Sequence, residues 1–147
     1  MKLQQIVVSI ENAPGRLHEV CEALGRAGIN LRALNLVDTG EFGQLRLLVS
    51  DVVTARRVLM GLQIPAYVNE VVAVEIEDRP GSLARLLKPL TAARVIVVFM
   101  YAFLRFSSSR AVMIFRFSDN DRAIEVLREN GVTILDAETF GILDSEG

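Results

Sequence analysis

Apolar residues along the first half of the chain change period several times. Ile6, Val8 and Ile10 alternate and predict a strand that ends at Glu11-Asn12. Leu17, Val20, Cys21 and Leu24 then recur at i, i+3, i+4 and i+7, a helix starting near Arg16 and stopping at Gly25 to Gly28, where glycine permits a left-handed cap. Residues 31–37 and 45–49 read as two extended runs joined by the turn Asp38-Thr39-Gly40-Glu41-Phe42-Gly43, hence a hairpin. Asp51 suits an N-cap for a helix reaching about Leu62, Pro65 closes it, and residues 66–70 form a fourth strand.

The pattern is written twice. Pro14-Gly15 recurs as Pro80-Gly81, 66 residues later, followed by Leu83, Leu86, Leu87 and Leu90 at the same helical spacing. Ser50-Asp51 returns as Ser118-Asp119, with Ala55, Val58 and Leu59 matched by Ala123, Val126 and Leu127, now 68 residues apart. The two-residue slip falls in the hairpin turns, where little is packed. Pro89 conflicts with the second copy's first helix by removing a donor, but Leu90 keeps the spacing, which predicts a kink rather than a break. Each copy has the order β-α-β-β-α-β, so the fold class is α+β: two ferredoxin-like units in tandem, antiparallel sheets with helices on one face. The division is 1–70 and 71–147, the latter with a short C-terminal tail. Tyr67-Val68-Asn69-Glu70 runs directly into Val71-Val72 with no linker, which predicts a fixed mutual geometry.

Residues 95–104 are apolar at both parities. Helices cover one sheet face only, so the strand predicts a further cover, either the other copy or a second molecule, and a homodimer is the favoured expectation.

Composition narrows the function classes. Sixteen Lys+Arg against eighteen Asp+Glu leave a formal net charge of −2, the wrong sign for a phosphate-backbone binder, so no nucleic-acid partner is expected. One cysteine rules out an internal disulfide and a Cys-cluster zinc site, and suits a reducing compartment. The first residues lead into a short apolar run unlike a signal peptide, and a ten-residue apolar stretch is too short to span a bilayer as a helix. A cytoplasmic protein with no membrane partner is expected. His18 and Glu22 form a lone i, i+4 pair, which is a poor metal site, and Cys21 sits on the apolar stripe. No phosphate-cradling Gly-Lys motif, nucleophile elbow or dinucleotide fingerprint appears, so neither catalysis nor a cofactor is expected.

Ile10-Glu11-Asn12-Ala13-Pro14-Gly15-Arg16-Leu17, followed by Gly28-Ile29-Asn30-Leu31, resembles the opening of an ACT domain, a small-molecule-sensing module of amino-acid metabolism. Ile76-Glu77-Asp78-Arg79-Pro80-Gly81-Ser82-Leu83 resembles a second one, and together they cover most of the chain. The resemblance implies a regulatory protein that binds a free amino acid where two ACT units meet, units paired into an eight-stranded sheet, and a metabolic enzyme as target. It implies a pocket on the loop after the first strand, completed by the start of a neighbouring unit's second strand. Asn12, Ala13, Pro14, Gly15, Arg16, Leu17 and Asn30 are the matching positions in the first copy. Asp78, Arg79, Gly81, Ser82 and Leu83 match in the second. Serine-sensing relatives carry a histidine two residues before the loop Asn; Ile10 stands there. Asp78 replaces the loop Asn of the first copy and Ile96 the later one, so the two sites are expected to be chemically unequal.

Elementary chemistry agrees with such a pocket. A helix start offers unpaired amides and partial positive charge to a carboxylate, and glycine does not block the approach. Asn and Asp before Pro-Gly are also ordinary turn residues. Two rivals share the topology. One is an RNA-binding module, with Phe115 and Phe117 as a stacking platform. The other is an interaction subunit that joins an enzyme or transporter and binds no metabolite.

Overall fold

The computed structural model describes residues 1–104 and 109–143, without the side chains of residues 103 and 104. The elements follow the predicted order: β1 (Leu3–Glu11), α1 (Arg16–Arg26), β2 (Leu31–Asp38), β3 (Phe42–Val49), α2 (Val52–Gly61), β4 (Ala66–Glu77), α3 (Ser82–Ala92), β5 (Val97–Leu104), β6 (Arg110–Phe117), α4 (Asn120–Glu129), β7 (Thr133–Leu135) and the short α5 (Ala137–Phe140). Seven strands result among the described residues because the last strand of the first copy and the first of the second are one continuous strand, β4.

Two compact units divide the chain. The first holds Gln4–Asn69 and the segment from Ala137 onward; the second holds Met1–Leu3 and Glu70–Asp136. Strands of the first unit run β2-β3-β1-β4, with Ile6 opposite Leu47 and Glu11 opposite Phe42. Those of the second run β5-β6-β4-β7, with Val74 opposite Met113 and Glu77 opposite Arg110. Both units are therefore βαββαβ with an antiparallel sheet.

Burial follows the predicted stripes. Val20 and Leu24 of α1, and Leu86 and Leu90 of α3, are buried, while Cys21 and Leu87 are half-buried. In the second unit α3 and α4 pack on Val72, Val74, Met113, Phe115 and Phe117. Asp51 caps α2: its carboxylate accepts from Thr54 N–H at 3.1 Å and from Thr54 Oγ1 at 2.7 Å. The Thr54 hydroxyl, with the amide beside it, holds that carboxyl below the usual carboxylate range. Asp119 caps α4 in the same way through Arg122 N–H at 3.0 Å. Helix α3 continues through Pro89 to Ala92.

β5 is an edge strand of the second unit. Val97, Phe99 and Tyr101 are half-buried, whereas Ile96, Val98 and Met100 are 66%, 56% and 36% exposed. β2, the edge of the first unit, likewise exposes Leu34 and Leu36, a feature its mixed sequence did not announce.

Candidate functional site

The corner between first strand and first helix is built identically in both units. Gly15 and Gly81 each have φ +85° directly before the first helical residue, a left-handed conformation costing other L-residues about 1–2 kcal/mol. The next residue donates its amide back across the turn, Arg16 N–H to Ala13 O at 3.3 Å and Ser82 N–H to Arg79 O at 3.2 Å. Of the amides at this helix start, that of Arg16 is thus engaged. Those of Gly15 and Leu17 have no hydrogen-bond partner among the described residues.

Asn12 locks this corner to the tip of the β2–β3 hairpin. Its backbone N–H donates to Glu41 O at 2.9 Å, and its Nδ2 donates to Asp38 Oδ1 at 2.8 Å and to Gly40 O at 2.5 Å. The side-chain nitrogen is fully used, leaving Oδ1 as an acceptor. Gly43 lies against it: a Cβ there would sit 3.2 Å from Asn12 Oδ1 and 3.1 Å from Leu36 Cδ1. Around Asn12 an open cleft of about 250 Å³ is lined by Ile10, Glu11, Ala13, Pro14, Leu17, Leu36 and Gly43. The wall is mostly apolar, and Leu17 and Leu36 stand exposed on it.

Asn30 is not part of this cleft. It precedes β2 at the Val49 end of the hairpin, where it exchanges hydrogen bonds with Ser50: Ser50 N–H to Asn30 O at 2.8 Å and Asn30 N–H to the Ser50 side-chain Oγ at 2.8 Å. Asn12 lies at the opposite end, beside Phe42 and Gly43, about 25 Å away along an eight-residue strand. Within one unit the two asparagines do not converge.

The second corner is dressed differently. Asp78 N–H donates to Ser109 O at 2.7 Å, as Asn12 does to Glu41, but its side chain makes no hydrogen bond among the described residues. Arg79 Nε pairs with Glu77 Oε2 at 2.6 Å. Arg85 leans over the turn, with Nη2 donating to Ser82 Oγ at 3.0 Å and Nη1 3.0 Å from where a Gly81 Cβ would stand. Leu83 is half-buried against the core. Leu36, Gly43 and Arg85 are the site residues that sequence reasoning missed. Their only local signals are outward parity in a strand, a glycine in a hairpin, and a cation one turn beyond Gly81.

His18 Nε2 lies 3.4 Å from Glu22 Oε2 on an exposed helix face, and among the described residues no cluster of metal-ligating side chains forms. Phe115 and Phe117 stack at 4.9 Å but are buried in the second core, so these rings offer no face to a nucleobase. Among the described residues no helix is long and apolar enough to cross a membrane.

Comparison with known proteins places this geometry. The crystal structure of protein BT0572 from Bacteroides thetaiotaomicron is similar at 36% identity and TM-score 0.91, covering 97% of this chain and 98% of that one. The ligand-free regulatory subunit of aspartate kinase from Thermus thermophilus shares the fold at 16% identity and TM-score 0.61, covering 86% and 89%. Its counterpart from Thermus flavus does so at 17% and 0.59, covering 85% and 88%. No match was found among curated proteins. The family model for an ACT domain pair matches residues 1–143, spanning both βαββαβ units and both Pro-Gly corners, and the chain accordingly belongs to the ACT domain pair family.

Proposed function

We propose that this protein is a non-catalytic regulator that binds a free amino acid where ACT units meet, with the first-unit cleft as the principal site. The observation carrying this reading is the juxtaposition, at one corner, of an acceptor and amides that have no partner among the described residues and a mostly apolar wall. The ligand's ammonium group donates to Asn12 Oδ1, its carboxylate docks on the amides of Gly15 and Leu17, and its side chain lies against Leu17 and Leu36. Arg16 flanks the site; its guanidinium is held by Glu11 and Glu19. Asn30 acts by completing the corresponding cleft of a neighbouring ACT unit. Asp78, Arg79, Gly81, Ser82 and Leu83 form the unequal second site, and an enzyme of amino-acid metabolism reads the bound state. A homodimer joined through the exposed row of β5 supplies the further units.

A ligand that binds only the folded state adds about 2.7 kcal/mol at a hundred times its dissociation constant. A thermal-shift screen of the standard amino acids, with nucleotides as control, is expected to give one or a few hits. Leu17→Glu places a carboxylate on the cleft wall and is expected to abolish the shift with the unliganded melting temperature retained. Gly15→Val is expected to abolish it as well, while lowering stability by about 1–2 kcal/mol because valine must adopt positive φ. A flat screen at millimolar concentration removes the sensor reading.

A second reading is favoured by the exposed Ile96, Val98 and Met100 row alone: an interaction subunit whose corners are only turns. It differs from the first by predicting no stabilisation by any amino acid.

A further inference from the structure

The fold copies one cleft twice and gives the copies opposite charge. In the first unit, the space beside Glu11, the start of α1 and the α2–β4 turn measures about 260 Å³. Its charged residues are Glu11, Arg16 and Glu19, and Arg16 spans both carboxylates, Nη2 to Glu11 at 3.3 Å and Nη1 to Glu19 at 3.1 Å. The matching cleft of the second unit, beside Glu77, the start of α3 and the α4–β7 turn, measures about 480 Å³. The register fixes the correspondence. Glu19 and Arg85 both stand four residues after the corner glycine, Arg16 and Ser82 both open the helix, and Phe42 and Arg110 face Glu11 and Glu77 across the ladder.

In this larger cleft two carboxylates meet three guanidinium groups. Glu75 pairs with Arg110 at 2.9 Å and Glu77 with Arg79 at 2.6 Å. Arg85 has no carboxylate partner among the described residues; it bonds Ser82 Oγ alone, and Ser82 is only 9% exposed. A guanidinium keeping most of its donors, fixed against a buried hydroxyl in a roomy cleft of net positive lining, is the arrangement that recognises planar or tetrahedral oxyanions. Where the first-unit cleft carries Glu19 and pairs Arg16 with two carboxylates, the second carries Arg85 at the matching position and a larger space.

We infer that the cleft of the second unit binds a small ligand through an oxyanion, a carboxylate or a phosphate, held by Arg85 and Ser82. The site shares Arg79 and Ser82 with the second corner but stands whether or not the first-unit cleft takes an amino acid.

Calorimetric titration of the full chain at constant ionic strength tests this, with inorganic phosphate, succinate and chloride as probes. Succinate lacks an ammonium group, which separates this site from one built for a zwitterion. Saturable binding of phosphate or succinate but not chloride is expected. It should weaken at least about tenfold in Arg85→Gln, the loss of a charged hydrogen bond, and persist in Leu17→Glu. Phosphate alone points to a phosphate ester as natural ligand, succinate alone to a carboxylate, and either supports the site. Arg85→Lys keeps the charge without the fork and is expected to fall between. Because Arg85 is exposed, these variants should melt with the wild-type protein. No saturable binding of either anion at millimolar concentration, or unchanged affinity in Arg85→Gln, overturns the inference.

Discussion

Gln63 and Arg94 hold φ of +58° and +60° just past the ends of α2 and α3, where the other copy of the repeat has Gly131 and Gly28. The backbone requirement is therefore the same in both units, and only one member of each pair meets it without strain. Left-handed backbone costs a side-chain-bearing residue about 1–2 kcal/mol, and glycine returns roughly 0.5–1 kcal/mol of that through chain entropy. Gln63→Gly and Arg94→Gly are each expected to raise stability by about 0.5–1 kcal/mol in urea denaturation. At Asp51 the sign runs with pH. Its folded-state pKa lies below the unfolded value, so its contribution is present above the unfolded pKa and fades as pH falls through the folded one. Asp51→Ala should cost about 1 kcal/mol at neutral pH by removal of the cap. Asp51→Asn should retain most of the cap while flattening the acid limb of the stability profile, and a pH series of denaturation midpoints checks both.

Helix α3 shows an element overriding a local rule. Pro89 removes the donor that would reach the Arg85 carbonyl, yet Leu86 and Leu90 on either side are buried in the second core, and the helix runs on to Ala92. Tertiary burial of the stripe outweighs the lost bond, as the retained spacing at Leu90 predicted. Pro89→Ala is expected to stabilise the protein by about 1–3 kcal/mol, since it restores that bond and removes the ring's clash. A thermal or urea melt at neutral pH reads the change. The two edge strands tell a complementary story. The doubly apolar sequence of β5 predicted a cover beyond the helices, and within the single chain Ile96, Val98 and Met100 stand exposed; β2 carries exposed Leu34 and Leu36 unannounced, because Arg32 and Asn35 interrupt its apolar run.

Over the whole chain, each unit takes in a terminus from the far end of the sequence. Lys2 pairs with Asp121 at 3.0 Å and with Glu70 at 3.7 Å in the second unit. In the first, Leu143 accepts from Val52 N–H at 3.0 Å and donates to Ser50 O at 2.6 Å, while Arg32 Nε donates to Gly141 O at 3.2 Å. Truncation after Asp136 should therefore raise amide exchange around Arg32 and Val52 while sparing β6 and α4. For the proposed homodimer, Val98→Glu places a charge in the middle of the exposed β5 row, and light scattering after gel filtration should report a monomer with unchanged circular dichroism. A dimer surviving that substitution would move the interface elsewhere.

Strand and helix periods, the two Pro-Gly corners, the Asp caps and the doubled βαββαβ order were all legible in the amino-acid sequence, because each depends on residues a few positions apart. The ACT resemblance followed from the same short motifs. Three features of the candidate sites depend instead on residues brought together from distant positions, and only the folded chain decided them. Asn12 turned its nitrogen to the hairpin tip and left an oxygen; Asn30 went to the other end of that hairpin; and among the described residues Glu75 and Glu77 pair with Arg110 and Arg79 while Arg85 pairs with no acid. Periodicity fixes which face a side chain occupies, but which charge neutralises which is a competition among neighbours that the tertiary fold assembles.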